Sequence, residues 1–189
     1  MKRISLFLLV VTLAGCSAAT PAQWKNEWVA TKWTDSFSDE EFCMVTYGTT
    51  PDGVVALQNS TMFYPFVGFK SDSLTVGVRS GGQFRIPVGD VQIRIDERES
   101  WTITTLETPI AFSPAAGTAQ AGAVTETFTR SLSPFTSTTG ERAERLLAEM
   151  ESGATIRYRT VAMNQPGSTT GQVEIDESFG VALAACRGE

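Results

Sequence analysis

The sequence predicts a mainly β domain of the α+β class: an antiparallel, β-sandwich-like sheet with one amphipathic helix and a short C-terminal helix. Three observations carry that prediction. Residues 74–96 alternate apolar and polar side chains with a period of two, broken by glycine turns, the pattern of strands with one buried and one wet face. Residues 141–150 switch to helical spacing, with Ala143, Leu146, Leu147 and Met150 on one side. Two cysteines, Cys43 and Cys186, bracket most of the chain, as a disulfide closing a single domain would.

The N-terminus follows a different logic. Lys2 and Arg3 are followed by residues 4–13, apolar except for Ser5 and Thr12. A membrane span needs about 20 apolar residues, so this run is read as a secretory signal. It closes on Leu13-Ala14-Gly15-Cys16, which resembles the bacterial lipobox, where the chain is cut before the cysteine and the cysteine is acylated. The expected organisation is a signal peptide over 1–15, a lipidated tether over 16–23 and one globular domain over 24–189. Two or more acyl chains on Cys16 hold a soluble domain stably on a bilayer, where one would hold it only marginally. Ser17 is not the aspartate that favours inner-membrane retention in lipoproteins, so the periplasmic face of the outer membrane is the expected location.

The formal charge is −6, and loss of Lys2 and Arg3 with the signal makes it more negative by two. That balance argues against nucleic acid as a partner and against attraction of the domain as a whole to anionic headgroups. With Cys16 assigned to lipid, Cys43 and Cys186 are an even pair in an oxidising compartment and are expected to bond to each other. The alternative is two free thiols with one as a nucleophile, and the chain has no histidine to activate it.

Residues 17–23 form a short polar tether, so the domain sits close to its membrane. Trp24, Trp28 and Trp33 follow, either packed under the domain or placed at the headgroup level. Residues 35–41 are an acidic turn, and 42–47 form a strand that carries Cys43. Pro51-Asp52-Gly53 has turn chemistry, with 54–58 returning as a hairpin strand. Residues 62–69 are densely aromatic but contain Pro65 and Gly68, which suggests an edge strand or structured loop. Ser80-Gly81-Gly82 turns the strand 74–78 back through 84–88, and Val91, Ile93 and Ile95 mark the next strand. Residues 101–106 extend the sheet as far as Thr108-Pro109.

Residues 113–122 read as a loop with a short helix, and 131–140, rich in Ser, Thr and Pro, as an internal linker or surface loop. Thr138 and Glu141 then make a capping box for the amphipathic helix, and Gly153 is its C′ residue. Residues 155–161 read as another strand, in which Ile156, Tyr158 and Thr160 alternate with Arg157, Arg159 and Val161. Gln165-Pro166-Gly167 turns the chain and 172–175 pairs back. Residues 178–186 suit a short buried helix that presses Cys186 towards Cys43.

The succession of Ile86-Pro87-Val88-Gly89, Val91-Gln92-Ile93-Arg94-Ile95-Asp96, Met150-Glu151-Ser152-Gly153, the strand 156–159 and Phe179-Gly180-Val181-Ala182-Leu183 resembles the invasion-associated locus B family. The resemblance covers the C-terminal half of the chain. It implies a periplasmic or secreted bacterial protein with a β-sandwich-like fold and a link to host-cell invasion. That family commonly carries a second cysteine pair in its middle region; residues 101–122 here contain none.

Without histidine there is no Ser-His-Asp or Cys-His catalysis and no histidine-based zinc site. No Ser-x-x-Lys occurs, and Ser80-Gly81-Gly82 lacks the lysine and glycine spacing of a phosphate loop. A carboxylate pair from Asp90, Asp96, Glu97, Glu99 and Glu107 would permit glycoside hydrolysis, against the simpler reading of solvated charge. Asp35, Asp39, Glu40 and Glu41 lack the spacing of a calcium loop. The expectation is therefore a non-enzymatic interaction or structural module of the envelope, without cofactor or metal. Its partners would be the bilayer through Cys16 and an envelope protein or a ligand laid across the sheet. Phe63, Tyr64, Phe66 and Phe69 are the candidate contact surface, with a buried core strand as the preferred simpler reading. A carboxylate-based hydrolase and a host-directed surface protein are the alternatives.

Overall fold

The computed structural model describes residues 25–50, 63–70, 73–81, 86–109, 123–161 and 167–189. The signal, Cys16, Trp24, the hairpin strand expected over 54–58, the loop 113–122 and the turn at Gln165 lie outside them.

Nine described strands form two antiparallel sheets, α+β in class and sandwich-like. The first sheet has the order β1 (Lys25–Thr34), β2 (Glu41–Thr50), β3 (Phe63–Lys70), β4 (Ser73–Ser80) and β7 (Phe135–Thr139). The second has β6 (Trp101–Ile103), β5 (Asp90–Ile95), β8 (Thr155–Val161) and β9 (Thr169–Glu174). Among the described residues three helices accompany them, α1 (Ala123–Ser131), α2 (Gly140–Glu151) and α3 (Glu177–Arg187), with a 3-10 turn at Thr105–Glu107.

The acidic segment 35–41 is the turn of the β1–β2 hairpin. Asp35 accepts from the amides of Phe37 and Ser38 at 2.8 and 3.3 Å, and its own amide donates to the Glu40 carbonyl at 2.9 Å. Asp39 closes the turn at φ 56°, a conformation Asp tolerates better than most residues. The acidity here is turn chemistry.

Four sequence expectations are corrected in the first sheet. The aromatic strand β3 is central, flanked by β2 and β4. Pro65 is tolerated there because the β2–β3 ladder stops at Thr46↔Phe66, so no amide is required of residue 65 on that side; the Thr46 hydroxyl donates to the Pro65 carbonyl at 3.2 Å. The outer neighbour of β4 is β7, and the described residues 86–88 of the expected return strand are not in a sheet. The supposed linker 131–140 is β7, with Thr136, Ser137 and Thr138 buried. Finally, α2 starts at Gly140 after Thr139, so Thr138 belongs to the strand and the expected capping box does not form. Helix α1 answers to no element read from the sequence.

One large core joins the inner faces of both sheets to α2 and α3. Helix α2 buries Ala143, Leu146, Leu147 and Met150, the four positions its spacing marks. Gly153 follows it, and a Cβ there would lie 2.3 Å from Ile95 Cγ2, so the position needs glycine for space. Helix α3 is capped by Asp176, whose carboxylate accepts from Ser178 N, and ends on Gly188 at φ 78°. Trp28 locks α3 to β1: its indole donates to the Glu174 carbonyl at 2.8 Å, its amide donates to Ser178 Oγ at 2.9 Å, and its ring meets Phe179 edge-on at 4.8 Å. Trp33 stays 41 % exposed, stacked on Phe42. Cys43 and Cys186 form a disulfide with Cα atoms 5.5 Å apart, tying the last turn of α3 to β2 across 143 residues of sequence.

Candidate functional site

The strands of the second sheet alternate strictly. Val91, Ile93 and Ile95 of β5 and Ile156, Tyr158 and Thr160 of β8 point into the core. The residues between them therefore face solvent: Gln92 and Arg94 on β5, Arg157 and Arg159 on β8, Thr170 and Gln172 on β9. The registers Arg94↔Arg157↔Gln172 and Gln92↔Arg159↔Thr170 set these in two rows across the sheet. With Ser100 they line an open groove of about 630 Å³ whose lining includes no carboxylate. Asp90 and Glu174 stand at opposite ends of the same face, and the Asp90 carboxylate is taken by the Thr105 amide at 2.9 Å.

The electrostatics of this face are unusual for a chain of net charge −6. Arg94 and Arg157 are directly opposed, an arrangement of like charges that weakens a strand pair. They share one carboxylate at the margin of the groove, with Glu97 Oε1 2.8 Å from Arg157 and Oε2 3.7 Å from Arg94. The Arg157 hydrogen bond, with the charges of both arginines, holds the Glu97 carboxyl below the usual carboxylate range. Arg157 also donates to Gln172 Oε1 at 3.1 Å, and Arg159 donates to Gln92 Oε1.

Glu97 hangs from a fixed turn. Asp96, at φ 51°, accepts from the amides of Ala154 and Thr155 at 3.1 and 2.9 Å, and the Arg98 guanidinium bonds Ser152 Oγ at 3.1 Å. Backbone on both sides of Glu97 is thus pinned to the end of α2, while its side chain is 78 % exposed.

The candidate contact surface fares differently. Phe63 and Phe66 are 1 % and 0 % exposed, so neither can meet a partner; Phe66 sits edge-on to Phe135 on the second face of the first sheet. Tyr64 and Phe69 are half-buried, and burial pushes the Tyr64 phenol up. Four of the five carboxylates proposed for hydrolysis are engaged within the fold, two of them, Asp90 and Glu107, on the successive amides of Thr105 and Thr104. Asp90 and Asp96 cap backbone amides, Glu97 meets Arg157, and Glu107 accepts from Thr104 N and pairs with Arg142 at 3.3 Å. Glu40 of the acidic turn pairs with Lys70 at 2.9 Å, which lowers its carboxyl. Among the described residues no three Cys, Asp or Glu side chains gather as metal ligands would.

Sequence reading passed over Arg94, Arg157 and Arg159 as ordinary wet-face residues. The signal was available: Arg at 157 and 159 on one strand and Arg94 between the apolar positions of another. What it lacked was the register that places Arg94 opposite Arg157. No protein-family model, no curated protein and no solved structure matches the chain.

Proposed function

We propose that this protein is a lipid-anchored binding module of a bacterial envelope, held through acylated Cys16 at the periplasmic face of the outer membrane, with its ligand laid across the outer face of the second sheet. The lipobox Leu13-Ala14-Gly15-Cys16 supports the anchor, and the disulfide is in keeping with an oxidising compartment. The observation that carries the binding role is the like-charged pair Arg94↔Arg157 in an open groove. Two guanidiniums directly opposed on a solvent-facing strand pair, with a single exposed carboxylate between them, concentrate positive charge at the groove and support recognition. The one carboxylate beside the groove, Glu97, is paired with Arg157 and Arg94, which favours binding over hydrolysis by a carboxylate pair.

A photo-crosslinking residue at Gln172 of the full chain, expressed in intact cells, tests the reading. A discrete adduct from position 172, absent when the probe stands at the exposed Val181 of α3, is the expected result. Equal labelling from both positions, or none from 172, rejects the groove as the binding surface. Intact-mass measurement on the same material tests acylation of Cys16.

A further inference from the structure

We infer that the groove recognises an oxyanion group, a phosphate or carboxylate, seated between Arg94 and Arg157 in exchange for the Glu97 carboxylate. This rests on the binding role proposed above and names its ligand chemistry. The two guanidiniums come from directly opposed positions, where Cβ atoms stand about 5 Å apart, a span that one three- or four-atom oxyanion bridges. Glu97 already shows the bridge, giving one oxygen to each arginine. Its side chain is exposed and hangs on a turn whose backbone is anchored independently through Asp96 and Arg98, so it can leave without disturbing the fold. Arg159 lies two residues along β8, about 7 Å away. Among the described residues it bonds an amide oxygen and no carboxylate, which leaves a second guanidinium for a ligand with two anionic groups. Glu97 is therefore an internal competitor that lowers the affinity of the site without abolishing it.

The test titrates the mature, disulfide-bonded protein with inorganic pyrophosphate and, separately, with phosphatidylcholine vesicles containing phosphatidylglycerol, reading heat and the arginine side-chain NH resonances. Pyrophosphate should bind saturably. E97Q should tighten it about fivefold to tenfold by removing the competitor, and R157Q should weaken it at least about tenfold by removing a charged donor. R157K, which keeps the charge but loses the planar fork, should fall between R157Q and the parent. Near-UV circular dichroism of each variant establishes that it is folded, as these exposed positions allow. Glu97-dependent binding of pyrophosphate alone identifies a soluble ligand, and of vesicles as well a lipid headgroup; either supports the inference. Absence of saturable binding to both, or binding indifferent to E97Q and R157Q, overturns it. A discrete crosslink from position 172 with no oxyanion binding would leave the groove as a surface and remove only its ligand assignment.

Discussion

The two sheets of this protein solve different problems. In the first, the central runs of β3 and β4 and all but the last residue of β7 are buried on both faces, with Val67, Val76 and Val78 in the main core and Phe66, Met44 and Phe135 packed on the opposite side. In the second, β5 and β8 alternate buried with partly or fully exposed residues, and the outer face carries three arginines. A sheet closed on both faces must satisfy space everywhere, whereas a sheet open on one face keeps a row of positions that packing does not dictate. Function has room on the open face of the second sheet and little around β3, β4 and β7 of the first, whose exposed positions lie mostly along strand β1.

The sharpest way to stress this contrast is to cut the covalent closure of the first sheet. Replacing Cys43 and Cys186 by Ala should cost about 5 kcal/mol by the chain-entropy estimate for a loop of 143 residues, measured by urea unfolding. Phe66→Ala should cost about 4 kcal/mol, because a fully buried ring leaves a cavity, while Thr170→Ala on the open face should stay within about 0.5 kcal/mol. Similar costs at the two sites would dissolve the distinction between the sheets.

The inner face of the open sheet can be probed by pH. Burial pushes the Tyr158 phenol up to about 12, and its hydroxyl donates to the Phe63 carbonyl on the other sheet. The folded state thus favours the protonated phenol. Its contribution is complete below pH 10, the ordinary value, and is lost as pH rises towards about 12. Unfolding free energy should fall by about 2–3 kcal/mol over that window, and Y158F should remove this step from the profile. A step of equal size in Y158F would assign it elsewhere. The smallest expected effect is at Arg94→Thr, which removes both the opposition to Arg157 and the exposed ion pair with Glu97 and should leave stability within about 0.5 kcal/mol. A larger destabilisation would mean that Arg94 serves the fold, and would weaken the case for a functional groove.

The same contrast explains which elements were legible. In β5 and β8 the alternation of Val91, Ile93 and Ile95, and of Ile156, Tyr158 and Thr160, reports a water–core boundary, and hydropathy reads such boundaries well. β7 has no boundary to report. Its Phe-Thr-Ser-Thr-Thr is a strand because β4 offers it a ladder and the Thr108 hydroxyl accepts its Ser137 amide at 3.1 Å, both contributed from distant sequence. Pro65 misled in the same way, since whether proline can sit in a strand depends on where the neighbouring ladder stops. Of the candidate site, the arginines were readable and their opposition was not.

The amino-acid order alone determined the periodic elements, the β-rich class, the face of α2 that is buried and which two thiols could pair, because each depends on local spacing or on counting residue types. Tertiary structure alone decided the strand order, the central place of the aromatic strand, the burial of the Ser/Thr-rich strand and the meeting of Arg94, Arg157 and Glu97. Those follow from hydrogen-bond register between segments far apart in the chain, and a single chain's periodicity carries no information about its partner's phase.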